Sequence, residues 1–239
     1  MAEPLVVLVP GAWMGGWIWD RTVQALRERG HDAHTLTLAG LSADASPQDA
    51  ARPRLADHVD QVLAAVEGAA ECVLVAHSYS GTVVGQVADR LGARVRRSVH
   101  LGSFLPEDGR ALIDLWGPGA RAEEAAAIER HGGLWAPPTP VELEGERDLS
   151  RAQRDYLLDR FRPHPGRTVL DPARMGAAVT AQPMTYVSLA PAGADPWAAA
   201  PAEVRSLPAT ARRSLASGHW PMLSRPEALV SLLEEEIRG

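Results

Sequence analysis

The chain contains no lysine and only one cysteine. All 24 basic residues among its 239 are arginine, which excludes Schiff-base chemistry, a pyridoxal phosphate anchor and a P-loop lysine. A single cysteine, Cys72, excludes an internal disulfide and any metal site built from cysteines. Because it opens an apolar β run, a buried, inert thiol explains it better than a reactive one.

Positive charge and long apolar runs are also scarce. The net charge is −6 at pH 7, which argues against nucleic acid or an anionic membrane surface as a partner. The amino terminus lacks the basic and apolar regions of a signal peptide, and no apolar stretch approaches the length needed to span a membrane. We therefore expect a cytoplasmic protein, monomeric or homodimeric, without metal or cofactor.

Short β runs alternate with amphipathic helical segments over most of the chain. This alternation predicts the α/β class, a mostly parallel sheet flanked by helices. Residues 105–182 interrupt it with proline, glycine and charge, so we predict a core of residues 1–104 and 183–239 with a helical cap, 105–182, inserted between core strands. The predicted strands are Leu5–Val9, Ala33–Leu38, Val73–His77, Val95–Leu101, Met184–Ala190 and Ala211–Ala216. The predicted helices are Trp17–Arg29, Leu55–Val66, Thr82–Leu91, Ala120–Glu129, Ser150–Arg160 and Pro226–Arg238.

A serine between small residues follows one of these strands. Residues 71–81 read as an apolar β run that ends in Ser78 and passes into a helical pattern. Such a strand–turn–helix elbow lifts one hydroxyl to the rim of a sheet. The positions two before and two after the serine must be small because the two backbones pass close together, and Ala76 and Ser80 replace the usual glycines. Ser78 is therefore the candidate nucleophile.

A serine hydroxyl needs a base within hydrogen-bond reach. The best candidate is His219, because it lies in a loop directly after the last predicted strand, at the rim where Ser78 emerges. The other histidines suit the role less well. Some of them flank an early strand, lie inside a strand or lie in the insertion. His58 lies on the polar side of a helix, and His77 faces the core beside the serine.

Acyl transfer places negative charge on an oxygen atom, which backbone N–H groups can stabilise. Tyr79 supplies one N–H, because it follows the nucleophile. The loop after the first strand supplies the other, because Gly11 permits a sharp turn that presents the N–H of Ala12 toward the serine. The sequence thus predicts an oxyanion hole formed by Ala12 and Tyr79.

Tryptophans are concentrated around this predicted site. Trp13 and Trp220 flank the oxyanion loop and the histidine, and Trp135 lies in the insertion. Aromatic side chains at the mouth of a pocket favour an apolar or aromatic ester over a sugar or phosphate. Packing between cap and core explains at least half of them equally well.

Taken together, these motifs resemble the α/β-hydrolases, and within them the branch of plant methylesterases, hydroxynitrile lyases and small bacterial esterases. The likeness runs from end to end and is carried by Gly11–Trp19, Ala76–Gly81, Leu101–Gly109, Arg160–Pro165 and Gly218–Pro226. It implies an α/β-hydrolase fold with Ser78 and His219 as the catalytic pair. It also implies a substrate pocket that includes Gly11, Trp13, Ser103, Trp135 and Trp220.

The departures from that pattern concern the reaction. Lyases of this branch carry threonine where this chain has Gly11 and lysine where it has Trp220, so cyanohydrin cleavage is not expected. The positions at which the family carries its triad acid correspond to Gly102 and Ala192, and neither can orient an imidazole. Asp195 is the nearest substitute, although a proline after it equally predicts a helix N-cap.

We therefore predict a serine hydrolase, a carboxylesterase acting on a hydrophobic small-molecule ester. Ser78 attacks the carbonyl, His219 accepts and returns the proton, and Asp195 orients His219. Two alternatives stay open. A lyase, cyclase or other non-hydrolytic enzyme is favoured by the missing acid, and a small-molecule binder on the same scaffold is disfavoured because Ser78 and His219 are both present.

Overall fold

A computed structural model describes residues 3–239 of the chain. In chain order its strands are β1 (Leu5–Val9), β2 (Ala33–Thr35), β3 (Cys72–His77), β4 (Val95–Leu101), β5 (Leu134–Trp135), β6 (His164–Pro165), β7 (Met184–Ala190) and β8 (Arg212–Ala216). Its α-helices are α1 (Asp20–Glu28), α2 (Pro47–Ala50), α3 (Leu55–Ala65), α4 (Ser80–Leu91), α5 (Gly117–Arg130), α6 (Pro140–Leu143), α7 (Arg151–Arg160), α8 (Arg167–Leu170), α9 (Pro221–Ser224) and α10 (Pro226–Arg238).

Six strands form one parallel sheet in the order β2-β1-β3-β4-β7-β8. The order reverses at β1, because the chain first adds β2 on one side and then adds all later strands on the other. The loops after β1 and β3 therefore diverge toward opposite faces and leave a crevice at the carboxyl edge of the sheet. Ligands of open α/β sheets bind at such a switch point. The predicted α/β class is confirmed.

Side chains alternate between the two faces of the sheet. Val6 and Leu8 point into a cluster with α1 and α10, whereas Val7 and Val9 point into a second cluster with α3 and α4. The period of two along each strand explains this division. Helix α10 buries Leu229, Val230, Leu233 and Ile237, and each such side chain contributes about 1.5–3 kcal/mol relative to exposure.

Residues 105–182, called the insertion below, contribute no strand to the six-stranded sheet within the described part of the chain. Leu143, Leu149 and Leu157 of the insertion join the first core cluster, and Trp135 and Val169 join the second. The insertion therefore packs against core residues of both clusters. Strands β5 and β6 form a short antiparallel pair inside it.

Two local predictions need correction. The second strand was expected to run to Leu38, but it ends at Thr35, because β2 is an edge strand that pairs only with Val6–Leu8. No helix was predicted between residues 38 and 55, but this segment contains α2, which Ser46 caps by accepting a hydrogen bond from the N–H of Asp49. No helix among residues 3–239 has the length and apolar character needed to cross a bilayer.

Candidate active site

Ser78 lies in the turn between β3 and α4. Its φ angle is +53°, in the left-handed region that costs a non-glycine residue free energy and that marks functional sites in many folds. The Ser80 hydroxyl accepts a hydrogen bond from the N–H of His77 over 2.8 Å and lies 2.9 Å from the carbonyl oxygen of Val9. A serine thus replaces the usual glycine because its hydroxyl ties the elbow to β1.

The tightest approach at the elbow is at Gly81. A Cβ atom there would overlap the carbonyl oxygen of Phe104 and would lie 2.6 Å from Cβ of Ser103. Phe104 in turn donates its N–H to the carbonyl oxygen of Ser78 over 3.2 Å. The segment after β4 therefore packs directly against the elbow and holds Ser78 at the rim of the sheet.

Two buried backbone N–H groups lie at the elbow and in the loop after β1, where Gly11 approaches His77. In the described part of the chain, neither Ala12 nor Tyr79 donates its N–H to another protein group. Both residues are almost fully buried, with exposures of 2% and 0%. A buried N–H without a protein partner is costly unless a ligand accepts from it, so the arrangement is that of an anion-binding pair.

Trp13 fixes the loop that carries Ala12. Its φ angle is +63°, and three groups of the insertion hold it there. The N–H of Trp13 donates to Nδ1 of His164 over 3.3 Å, its Nε1 donates to the carbonyl oxygen of Trp135 over 3.2 Å, and its carbonyl accepts from the N–H of Arg162 over 2.9 Å. These contacts offset the strained backbone of Trp13.

His219 lies in the loop between β8 and α9. Its ring is partly buried and lies 4.7 Å, centroid to centroid, from the ring of His77, the neighbour of Ser78. Burial lowers the pKa of His219 to about 4, so the ring is neutral at pH 7, as a general base must be. Among residues 3–239 its ring forms no hydrogen bond with Ser78, and such bonds in unliganded enzymes often tighten only when substrate binds.

A cavity occupies the place where the family carries its acid. It has a volume of about 610 Å³, and its walls include His219, Gly102 and Ala192. We call it the acid-side cavity. Asp195 does not complete the site. It is exposed, its Oδ1 accepts a hydrogen bond from the N–H of Trp197 over 2.9 Å, and no hydrogen bond joins it to His219 in the described residues. No helix begins directly after Asp195 in the described residues, so the predicted N-cap does not form either, and the Asp195 carboxylate caps a turn instead.

Two carboxylates of the insertion reach the histidine loop, and neither was predicted from the sequence. Oδ2 of Asp148 accepts from the N–H of Gly218 over 2.6 Å, and Oε2 of Glu146 accepts from the N–H of His219 over 3.2 Å. They follow α6 in a charged stretch that resembles an ordinary solvated loop. No local signal could reveal their partners, since 70 and 73 residues separate the bonded pairs.

Aromatic rings form a continuous group above the elbow. Trp13 contacts Trp135 at a centroid distance of 4.3 Å and Phe161 at 6.4 Å, and Phe161 lies 6.2 Å from Trp220. We call these residues, with Trp116, the aromatic cluster. Ser103 differs from them, because its hydroxyl donates to backbone carbonyls of Ala76 and Leu101 and therefore serves the fold rather than a ligand.

A hydrogen bond to His58 holds the side chain of Tyr79 in place. The Tyr79 hydroxyl donates to Nδ1 of His58 over 2.8 Å, since Nε2 of His58 donates to the carbonyl oxygen of Ala39, also over 2.8 Å. His58 is fully buried, so its placement on the polar side of the helix was wrong. The rings of Tyr79 and His164 that surround it come from outside α3, and no helical pattern shows them.

Comparison with known proteins identifies the family of this chain. The sequence profile of the alpha/beta hydrolase family matches residues 6–232. The chain belongs to that family. It is 36% identical over 169 residues to a carbendazim-hydrolysing esterase of Nocardioides, an alignment that covers 66% of this chain and 67% of the relative. It is 33% identical over 113 residues to the esterase PIR7B of Oryza sativa, covering 44% of this chain and 41% of that one.

A solved structure extends the likeness to the whole fold. An extracellular α/β-hydrolase from a Paenibacillus species superposes with a TM-score of 0.80 at 21% identity, over 97% of this chain and 98% of that one. The predicted membership of the α/β-hydrolases, in the branch of methylesterases and small esterases, is therefore confirmed. In residues 3–239 no group of three or more histidine, cysteine, aspartate or glutamate side chains is arranged to hold a metal.

Proposed function

We propose that this chain is a serine hydrolase that cleaves a carboxylic ester of a hydrophobic small molecule through an acyl-enzyme on Ser78. The observation that carries the proposal is the pair of unengaged N–H groups of Ala12 and Tyr79 beside a serine held at φ +53°. The strained backbone of Ser78 and the buried, unpaired N–H groups both lower the stability of the fold. Both have a use in acyl transfer, because the strained turn exposes the nucleophile and the N–H groups bind the oxyanion. The esterase names of the Nocardioides and Oryza sativa relatives support ester hydrolysis.

The chemistry follows from the groups present. Nε2 of His219 takes the proton of the Ser78 hydroxyl while Oγ attacks the ester carbonyl, and the N–H groups of Ala12 and Tyr79 receive the oxyanion. His219 then returns the proton to the departing alkoxide. A water molecule, deprotonated by the same imidazole, attacks the acyl-enzyme, which releases the carboxylic acid and restores Ser78.

The aromatic cluster supports an apolar substrate. Trp13, in the loop that carries Ala12, packs its ring against the rings of Trp135 and Phe161 of the insertion. Flat apolar or aromatic groups pack well against such rings. We propose that the insertion acts as the cap that supplies this wall of the pocket.

A series of p-nitrophenyl and phenyl esters tests the proposal. We expect wild-type turnover with ¹⁸O from labelled water in the released acid, and a loss of about 10⁴-fold or more in kcat for Ser78→Ala. His219→Ala should lose a similar factor. Equal turnover by wild type and Ser78→Ala would exclude the acyl-enzyme.

One observation favours a second candidate function. Gly102 and Ala192 leave the acid-side cavity without a core carboxylate, which suits a lyase or cyclase that uses the oxyanion hole without an acyl-enzyme. Activity that survives in Ser78→Ala, with a product that has not gained water, would support this alternative over the esterase.

A further inference from the structure

The acid-side cavity is lined by residues of the core and of the insertion. Its core wall includes Gly102 and Ala192, which offer no carboxylate, and the insertion contributes Glu146 and Asp148 to the lining. His219 lines the same cavity. The carboxylates near His219 therefore come from the insertion rather than from the core positions that the family pattern predicts.

Both carboxylates bind the backbone of the histidine loop. Asp148 accepts from the N–H of Gly218 over 2.6 Å and Glu146 accepts from the N–H of His219 over 3.2 Å. Gly218 makes this approach possible, because a Cβ atom there would lie 2.8 Å from Oε2 of Glu146 and 2.8 Å from Cγ of Asp148. The histidine loop and the two carboxylates thus fit each other closely.

The segment that carries Glu146 is anchored on both sides. Leu143 and Leu149 are 1% and 3% exposed and belong to the first core cluster. The N–H of Glu146 donates to the carbonyl oxygen of Leu143 over 3.1 Å, and the guanidinium of Arg154 donates to the carbonyl oxygen of Leu149 over 2.6 Å. Glu146 is therefore held in place by the fold rather than carried on a free loop.

Within the described residues, no ion pair neutralises these two carboxylates. Arg147 and Arg225 also line the cavity, yet among residues 3–239 neither forms an ion pair with Glu146 or Asp148. Glu146 is half-buried, and burial raises the pKa of its carboxyl group above the ordinary value. A half-buried carboxylate that has no permanent ion-pair partner can stabilise a group that carries positive charge only during the reaction, such as a protonated imidazole.

Glu146 holds the backbone N of His219, and among residues 3–239 no hydrogen bond joins the His219 ring to it. The backbone N and the ring Nδ1 of one histidine are linked only through Cα, Cβ and Cγ, so rotation of the two side chains can bring Nδ1 to the same carboxylate. We propose, on the basis of the proposed hydrolase function, that Glu146 replaces the missing core acid by accepting the Nδ1–H of His219 during the reaction.

The proposed role is that of a positioning residue. With the proton of Nδ1 donated to Glu146, Nε2 carries the lone pair that receives the proton of Ser78. The resulting imidazolium is stabilised by the ionised carboxylate, which itself takes no proton. Asp148 holds the adjoining Gly218 and thereby keeps the loop within reach of Glu146.

Replacement of Glu146 by its amide tests this role. Glu146→Gln keeps the size and the backbone hydrogen bond but removes the charge, and Glu144→Gln makes the same change at an exposed position of the same segment. We expect kcat on a p-nitrophenyl ester to fall about 10²-fold to 10⁴-fold in Glu146→Gln with KM changed only a few-fold, by comparison with serine protease variants. A kcat within twofold of Glu144→Gln would overturn the proposal.

Titration of His219 supplies a readout that a purely structural contact would not change. An ionised carboxylate favours the imidazolium, so the pKa of His219, followed by NMR of the ¹⁵N-labelled ring, should be lower in Glu146→Gln than in Glu144→Gln by about one unit or more. The acid limb of the kcat/KM profile should shift in the same direction. An unchanged His219 titration would contradict the proposal.

A second substitution distinguishes the loss of the carboxylate from a loss of the folded structure. Ala192→Asp returns a carboxylate to the core wall, and in the Glu146→Gln background it should recover at least tenfold of the lost kcat.

If Glu146→Gln does not fold, the wild-type protein supplies the test. The carboxyl group of Glu146 should then show a second titration step at the pH at which His219 titrates, and a single step would overturn the proposal. Failure of the wild type to hydrolyse any ester would instead refute the proposed function.

Discussion

Nε2 of His77 donates a hydrogen bond to the carbonyl oxygen of His219 over 2.7 Å. His77 is fully buried and precedes Ser78 directly, so one side chain ties the elbow to the loop that carries the candidate base. Its Nδ1 has no hydrogen-bond partner among the described residues and faces Gly11, where a Cβ atom would lie only 2.9 Å away. Burial holds the pKa of His77 well below its ordinary value, so the bond persists with a neutral ring.

Removal of this bond should displace His219. In His77→Leu the carbonyl oxygen of His219 loses its donor, and misplacement of a catalytic group by about 1 Å costs up to about 10²-fold. We expect kcat/KM for a p-nitrophenyl ester to fall about 10-fold to 10²-fold.

His77→Gln is the matched control, because the glutamine amide can donate from nearly the same place. It should retain most of the activity that His77→Leu loses. Equal activity of the two variants, measured at the same pH on folded protein, would show that the hydrogen bond does not position His219.

The insertion should influence the oxyanion hole through His164. His164→Leu frees the N–H of Trp13 and removes one of the contacts that hold its φ angle at +63°. Because Ala12 precedes Trp13, we expect the loss in kcat to be about tenfold with little change in KM, as for a group that acts in the transition state.

Asparagine at the same position provides the comparison. In His164→Asn, the amide oxygen can accept from the N–H of Trp13 in place of Nδ1, and kcat should stay within about threefold of wild type. A kcat as low as that of His164→Leu would mean that ring packing against Tyr79, at 4.5 Å between centroids, matters more than the hydrogen bond.

Buried neutral histidines should make the protein sensitive to acid. Burial lowers the pKa of His58 and of His100 to about 4, from 6.5. Between pH 6.5 and 4 the unfolded chain therefore binds more protons at these sites than the folded chain. The free energy of unfolding should fall with decreasing pH, by up to about 1.4 kcal/mol per pH unit for each such histidine.

Urea denaturation between pH 7 and pH 4.5 measures this slope. His100→Leu should reduce it by about 1 kcal/mol per pH unit, because His100 is fully buried and, among residues 3–239, its ring forms a hydrogen bond only with the hydroxyl of Ser98. The exposed His131 offers the control, since His131→Leu should leave the slope unchanged. An unaltered slope in His100→Leu would contradict the assignment.

Much of the core follows from the sequence because local patterns determine it. β1, β4, β7 and α10 begin and end where periodicity and turn residues indicate. The positions of Ser78 and His219 at one edge of the sheet were predictable for the same reason: each follows a recognisable strand, and parallel strands bring their carboxyl ends to one edge.

The features that the sequence does not reveal depend on contacts from distant segments. His58 belongs to a helix whose pattern exposes it, yet Tyr79 and His164 bury it. Glu146 and Asp148 lie in a charged loop that has the composition of a solvated one. Their hydrogen bonds to the histidine loop depend on the close approach that Gly218 allows, and no sequence periodicity predicts such a contact.

Acylation of Ser78, activated by His219, can be measured with a fluorophosphonate probe and intact-protein mass spectrometry. We expect one adduct on the wild type, located on Ser78 by peptide mapping, with no adduct on Ser78→Ala and labelling slowed about 10²-fold or more in His219→Ala. Equal labelling of wild type and Ser78→Ala, or an adduct on another residue, would contradict it.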